Sequence, residues 1–401
     1  MNANTGNRGE VAVIALVGYA HAVSHFFHLM IPPLFPWLMQ DFDLSFTEAG
    51  FLMTVFFVVS GTGQALAGFV VDRAGARPVL FSGVLMLVLS GIALGLARNY
   101  PMLMLAAGLA GAGNSVFHPA DFTLLNHRVS LPRLGHAFSV HGLSGNLGWA
   151  AAPFLMTSVA VFAGWRMAGF AAALVGLVAL LVLYVGRDYL KVAPAAVAGA
   201  SDGASAGPAT GFLRSGVVWL CFLFFLLSTA AFGALQNYST ASLQNIYALS
   251  LAGAASCLIA YLLGGAGGIA VGGFIATRHA QERIIASGLT TGAAIGLLLA
   301  GGVVAGLAVL PLMAVMGACV GMAGPSRDLL VRKAATHGLG KASFGRVYGF
   351  VYSGLDVGLA AAPLIFGPLM DGGHFNALWV GVALLQGLAV IAALRVGRVC
   401  N

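Results

Sequence analysis

Twelve runs of predominantly apolar residues follow one another along the chain, and nothing else in the sequence constrains its fold as strongly. They cover about 11–39, 47–71, 79–97, 101–128, 136–163, 166–186, 216–245, 249–277, 284–306, 309–333, 343–370 and 375–396. Each is close to the roughly 20 apolar residues that a helix needs to cross the hydrocarbon core of a bilayer. Backbone groups cannot go unpaired in lipid, so a spanning segment is either a helix or part of a closed barrel. The alternating ten-residue pattern of a barrel is absent from these runs. The 401 residues are 59% hydrophobic and 8% charged, against about 25% charged in a soluble domain. The expected fold class is an all-α membrane protein with twelve transmembrane helices.

With so few charges, each can be placed. The net charge of +7 would suggest a nucleic-acid partner in a soluble protein, but the positive-inside rule accounts for it here. Counted from a cytoplasmic N-terminus, sixteen of the nineteen Lys and Arg residues fall on one side of the membrane, among them Arg73, Arg77, Arg128, Arg133, Arg187 and Lys191. Arg98 and Arg166 fall outside, and Arg327 lies within a run. Both termini are therefore expected in the cytoplasm of a multi-pass plasma membrane protein (the inner membrane in a bacterium). Cys221, Cys257, Cys319 and Cys400 have no metal or redox spacing, so we expect no disulfide framework. The start, MNANTGNRGE, lacks the pattern of a removable signal peptide.

Between the sixth and seventh runs, residues 187–215 contain AAVAGASDGASAGPATG, which reads as a flexible cytoplasmic linker. It divides the chain into 1–186 and 216–401, with six runs each. The halves repeat at an offset of about 205–210 residues. Gly68-Phe-Val-Val-Asp72-Arg73 returns as Gly273-Phe-Ile-Ala-Thr277-Arg278. Gly145-Asn146-Leu147-Gly148 with Pro153 returns as Leu355-Asp356-Val357-Gly358 with Pro363. Gly111-Ala112, Pro119, Asp121 and Leu124 match Gly317-Ala318, Pro325, Arg327 and Leu330. Each half has an even number of runs, so the copies keep one orientation and repeat about an axis along the membrane normal.

The most specific motif is GFVVDRAGAR, Gly68–Arg77, between the second and third runs. Its glycines permit a tight turn and close helix packing, Asp72 can accept from a helix N-terminus, and Arg73 and Arg77 stay at the cytoplasmic face. With Gly68, Asp72, Arg73, Gly75 and Arg77, this pattern resembles the signature loop of the major facilitator superfamily. The resemblance extends over the whole chain: twelve runs, two halves of six, a long central linker and a degenerate second copy of the loop. It implies two pseudo-symmetric six-helix bundles, a gating loop at 68–77, and a rocker-switch transporter whose first, fourth, seventh and tenth helices line a cavity. Within the first half, His21-Ala-Val-Ser-His25, Phe42-Asp-Leu-Ser-Phe46, Gly113-Asn-Ser-Val-Phe-His118-Pro119 and Gly145-Asn146-x-Gly148 are similar to the fosmidomycin-resistance branch. That branch exports small anionic or amphipathic compounds.

Ionisable residues inside apolar runs are functional candidates by default, because burying one in lipid is expensive. His21, His25 and His28 lie at i, i+4 and i+7, on one helical face, and Pro32, Pro33 and Pro36 loosen the helix beyond them. Three readings stand: a proton-coupling or substrate-contacting face, histidines hydrogen-bonded to neighbouring helices, or a metal site, for which no nearby Cys or Glu speaks. His118 and Asp121 share a face at i, i+3, and Pro119 between them withholds a backbone N–H. Arg327 is the repeat-mate of Asp121, with Asp328 beside it. Asp121 and Arg327 are expected to interact across the cavity in one conformation; alternatively Arg327 pairs locally and holds an anionic substrate, or extends its charge to the cytoplasmic side. Asn146 and Asp356 are repeat-mates, Asn146 an expected interhelical hydrogen-bonder and Asp356 a candidate proton carrier. His141, Gln236, Asn237 and Tyr238 complete the expected polar lining.

No nucleotide-binding motif suggests a primary pump, and no nucleophile–base–orienter set suggests an enzyme. The expectation is a monomeric secondary transporter without cofactor or bound metal, with protons, a small-molecule substrate and the bilayer as its partners. Proton-coupled export of a drug or small anion is the first reading, and uptake of a small carboxylate or other anion the second. A receptor or scaffold would have no need of the buried charges.

Overall fold

The structure, a computed structural model, describes residues 3–192, 211–276, 279–336 and 344–400. Most of the linker and the Thr277-Arg278 echo of the signature loop lie outside the described residues. Every regular element among those described is helical. In chain order they are α1 Ala3–His28, a 3-10 turn Pro32–Leu34, α2 Phe35–Phe42, α3 Phe46–Ala74, α4 Ala76–Gly95, α5 Tyr100–Asn114, α6 Phe117–Arg128, α7 Leu131–Ala163 and α8 Trp165–Val185. After a second 3-10 turn, Gly211–Arg214, come α9 Gly216–Tyr247, α10 Leu251–Ile275, α11 Gln281–Ala300, α12 Gly306–Thr336, α13 Phe344–Asp371 and α14 Phe375–Cys400. Eleven spans among the described residues, counting Arg8–Phe42 as one, are long and apolar enough to cross a membrane.

The fourth apolar run accounts for the twelfth. Predicted as a single span over 101–128, it forms two helices, α5 and α6, separated at Ser115 and Val116. Pro119 sits in the first turn of α6 and has no N–H for the carbonyl of Ser115, while Gly111, Gly113, Asn114 and Ser115 hold a helix weakly. Discontinuous helices in membrane proteins commonly mark the places where polar groups are used. A comparable interruption ends α1 at His28. Pro32 and Pro33 cannot donate to the carbonyls of His28 and Leu29, so the chain turns through 29–34 and resumes as α2.

The described residues pack into two compact units, one made of 1–43 and 55–202, the other of 44–54 and 203–401. The division at the linker puts residues 44–54 in the first half; by packing they group with the second. In the first unit α1 lies against α7, α4 against α8, and α5 and α6 against α4. In the second unit the counterparts pair in the same order: α9 with α13, α11 with α14, and α12 with α11. Glycines bring α10 and α12 together, and a Cβ added at Gly264, Gly268, Gly317 or Gly321 would fall on the facing backbone. Small residues permit such close helix contact where no hydrophobic effect drives association.

The start of α3 is fixed twice within the second unit. Ser45 and Glu48 form a reciprocal cap, with the Ser45 N–H donating to Glu48 Oε2 at 2.9 Å and the Glu48 N–H to Ser45 Oγ at 3.1 Å. Asp371, the last residue of α13, accepts from the N–H of Phe46 at 2.5 Å, the N–H of Thr47 at 3.1 Å and the Thr47 hydroxyl.

Candidate functional site: a buried histidine cluster

The helical spacing of His21, His25 and His28 becomes a row of three buried rings in the first unit. Their centroids are 4.2 Å apart for His21 and His25, and 4.7 Å for His25 and His28. Such a row needs space on the facing helix, and α7 provides it at Gly145. A Cβ there would stand 2.6 Å from His25 Nδ1 and 2.9 Å from His21 Cε1. Three residues on, a Cβ at Gly148 would fall on the Ala22 carbonyl, so the two helices meet almost backbone to backbone. Trp149 covers the row, its ring 4.2 Å from that of His25.

Hydrogen bonds set the state of the His28 ring. His28 Nε2 lies 2.7 Å from Asn114 Oδ1, and the Trp149 indole N–H donates to His28 Nδ1 at 3.3 Å. An indole only donates and an amide oxygen only accepts, so His28 is neutral with its proton on Nε2. Asn114 joins three groups: its Oδ1 also accepts from the Ser24 hydroxyl at 2.5 Å, and its Nδ2 donates to Ser60 Oγ at 2.7 Å. The last residue of α5 thus ties α1 to α3 through its side chain.

His21 is held differently. Its Nδ1 donates to the His141 carbonyl at 2.8 Å, which leaves Nε2 as a bare acceptor. His141 stacks on it with ring centroids 3.5 Å apart, and its own Nε2 lies 3.1 Å from Asp121 Oδ2. Asp121 is fully buried on α6 and His118 is one turn earlier on the same helix, its ring 5.4 Å from that of His21. Four buried polar atoms of this cluster have no hydrogen-bond partner among the described residues: His21 Nε2, His25 Nδ1, His118 Nδ1 and Asp121 Oδ1. Leaving such a group unpaired costs about 1–3 kcal/mol. His21 Nε2 and the carboxylate oxygen can only accept, so the cluster suits a proton, a cation or another donor.

Of the expected lining, the structure brings His21, His25, His28, His118, Asp121 and His141 into this one cluster. Asn146 does something else: its Nδ2 donates to the Gly142 carbonyl at 3.0 Å, a bond within its own helix rather than between helices. Ser24, Ser60, Asn114 and Trp149 were missed as partners, although Asn114 stands out as an amide inside an apolar run. In the signature loop, Gly75 adopts φ +86° and joins α3 to α4 as a one-residue connection, a conformation that glycine reaches without steric cost. Gly68 faces open space, where a Cβ would meet nothing within 4 Å, so close packing is not its role here. Arg73 is exposed and Arg77 half-buried, and the side chain of Asp72 lies outside the described residues.

In the second unit Arg327 Nε donates to Asp328 Oδ1 at 3.0 Å, and its guanidinium lies 4.8 Å from the centre of the Phe225 ring. The Tyr352 hydroxyl donates to the same Asp328 oxygen at 2.9 Å. Asp121 and Arg327 therefore each have a local partner in this conformation. Asp356 is half-buried on α13. On α9, Asn237 donates to the Gly233 carbonyl at 2.7 Å and the Tyr238 hydroxyl to the Phe46 carbonyl at 3.2 Å, while Gln236 Nε2 is buried without a partner among the described residues.

The fold and this cluster define a polytopic helical membrane protein with a polar site inside its bundle. The family profile described as Major Facilitator Superfamily matches residues 17–363, and the chain belongs to that family. An uncharacterized MFS-type transporter, YfnC of Bacillus subtilis (strain 168), is 24% identical over 392 residues, covering 95% of this chain and 92% of that protein. The fosmidomycin resistance protein of Escherichia coli (strain K12) is 24% identical over 285 residues, 70% of this chain and 69% of that protein. Among solved structures, a bacterial homolog of the human lysosomal transporter Spinster, in an inward-facing and unoccupied conformation, has a similar fold. It has a TM-score of 0.71 at 14% identity, over 98% of this chain and 96% of that one. The chain is a multi-pass membrane transporter of this superfamily.

Proposed function

We propose that the chain is a secondary transporter that exports a small anionic or amphipathic compound in exchange for protons, by alternating access. The observation that carries this reading is the buried cluster of His21, His25, His118, His141 and Asp121, four of whose polar atoms have no partner among the described residues. A proton needs such a place: an acid beside imidazoles, out of lipid, able to exist charged or neutral. Asp121 carries the proton, His141 shares it across their 3.1 Å contact, and His21, His25 and His118 assist. Asp356 is a second carrier on the other half. Export is favoured by the likeness to a fosmidomycin resistance protein. In this reading the halves 1–186 and 216–401 move as bodies joined by the linker 187–215. The loop Gly68–Arg77 gates at the cytoplasmic face of the plasma membrane, and the transporter works as a monomer.

Purified protein in liposomes, with a panel of small anionic and amphipathic compounds that includes fosmidomycin, tests the coupling. An imposed pH gradient should drive flux, and Asp121→Asn should remove the response to the gradient. Flux indifferent to the gradient ends the coupling claim. Uptake of a small carboxylate is the second reading. It is favoured by Arg327, half-buried over Phe225, whose planar fork suits a carboxylate. Counterflow in vesicles of known orientation separates import from export.

A further inference from the structure

We propose that His21, His118 and His141 form a binding site for a divalent first-row transition-metal ion of the zinc, nickel or cobalt kind. One ring nitrogen from each of the three lies within 4.8 Å of the others. Two imidazole nitrogens placed tetrahedrally on one ion, each about 2.0–2.1 Å from it, stand about 3.4 Å apart, so the rings must turn to close the site. The stacked pair, His21 and His141, is the one that must tilt, since a ligated ion lies in the plane of each ring.

The hydrogen bonding favours this chemistry over a purely structural one. A metal-binding histidine commonly donates its other N–H to a carboxylate or backbone carbonyl, which fixes tautomer and orientation. Here His141 has its Nε2 on Asp121 at 3.1 Å, and His21 donates Nδ1–H to the His141 carbonyl at 2.8 Å. On His21 and His118 a nitrogen is left over to ligate. His21 Nε2 and His118 Nδ1 are buried and without partners among the described residues, and the His21 and His141 side chains are themselves almost wholly buried. Imidazole donors suit zinc, nickel and cobalt, whereas calcium and magnesium require oxygen and copper(I) favours sulfur. Asp121 behind the ligands offsets part of the ion's charge. Local spacing gave no metal signature because the three ligands come from three different helices, α1, α6 and α7.

The inference rests on the geometry of the cluster and not on proton coupling, so a binding assay and the gradient assay can fail separately. Full-length protein with any tag removed is titrated with Co2+ in detergent, followed by visible absorption, and with Zn2+ by calorimetry. One ion per chain is expected, bound more weakly as the pH falls because protons compete for the ligands. His118→Ala and His118→Gln should each weaken binding at least about tenfold, and Asp121→Asn by about ten- to a hundredfold. Replacing the exposed His127 and His136 together should change nothing. Thermal unfolding of each variant confirms that it is folded. Binding that survives His118→Gln and Asp121→Asn, binding that disappears with the exposed pair, or the absence of any binding would overturn the proposal.

Discussion

Gly145 has no side chain because two imidazole rings occupy the place where one would be. The proposed added Cβ would lie 2.6 Å from His25 Nδ1, and overpacking of that kind costs about 1–3 kcal/mol. Gly145→Ala should therefore lower the melting temperature and impair transport. Gly142→Ala on the same helix, where a Cβ meets nothing within 4 Å, should be neutral or stabilising by about 0.4–1 kcal/mol. Equal effects from the two in a thermal-shift assay would show that the rings are not seated where described. Asn114 poses the complementary case. Asn114→Ala strands the His28 N–H and the Ser24 hydroxyl at about 1–3 kcal/mol for each buried unpaired group. It should be among the most destabilising single changes in α5, well beyond Ala112→Ser nearby, and comparison of their unfolding temperatures checks this.

Among the elements, α3 depends most on partners far away in the chain. Its first turn has the Ser45–Glu48 cap, legible as S-x-x-E, and the carboxylate of Asp371, which no local pattern announces. Losing a cap of this kind costs about 0.5–2 kcal/mol. Asp371→Ala should lower stability by that order, and Ser45→Ala combined with it should cost more than either alone, as read by thermal unfolding of the purified protein. The break between α5 and α6 is half-legible. Pro119 and the glycines before it announce a weak point. The sequence placed the lost N–H between His118 and Asp121, whereas the helix gives way upstream, at Ser115 and Val116, and Pro119 rests in a first turn where its missing N–H is harmless.

For the whole molecule, topology is the first thing to check. Reporter fusions after residue 202 and after Cys400 should both report the cytoplasm, in keeping with the basic residues around those positions; an external signal from either would reverse the charge-based orientation. The twelve spans, the two copies of six and the superfamily were available from sequence because each rests on local properties: apolar length, charge placement, and short motifs repeated in order. The histidine row on α1 was legible for the same reason, since residues four apart on a helix share a face whatever surrounds them. Sequence did not say that His141 would stack on His21 and hold Asp121, that Gly145 would make room for the row, or that Asn114 would tie its His28 end. Sequence left open whether Arg327 pairs locally or across to Asp121; the structure has it on Asp328. Those outcomes depend on which helices pack together and at what depth each side chain lies. Such contacts join residues up to 120 positions apart, and only the tertiary structure decides them.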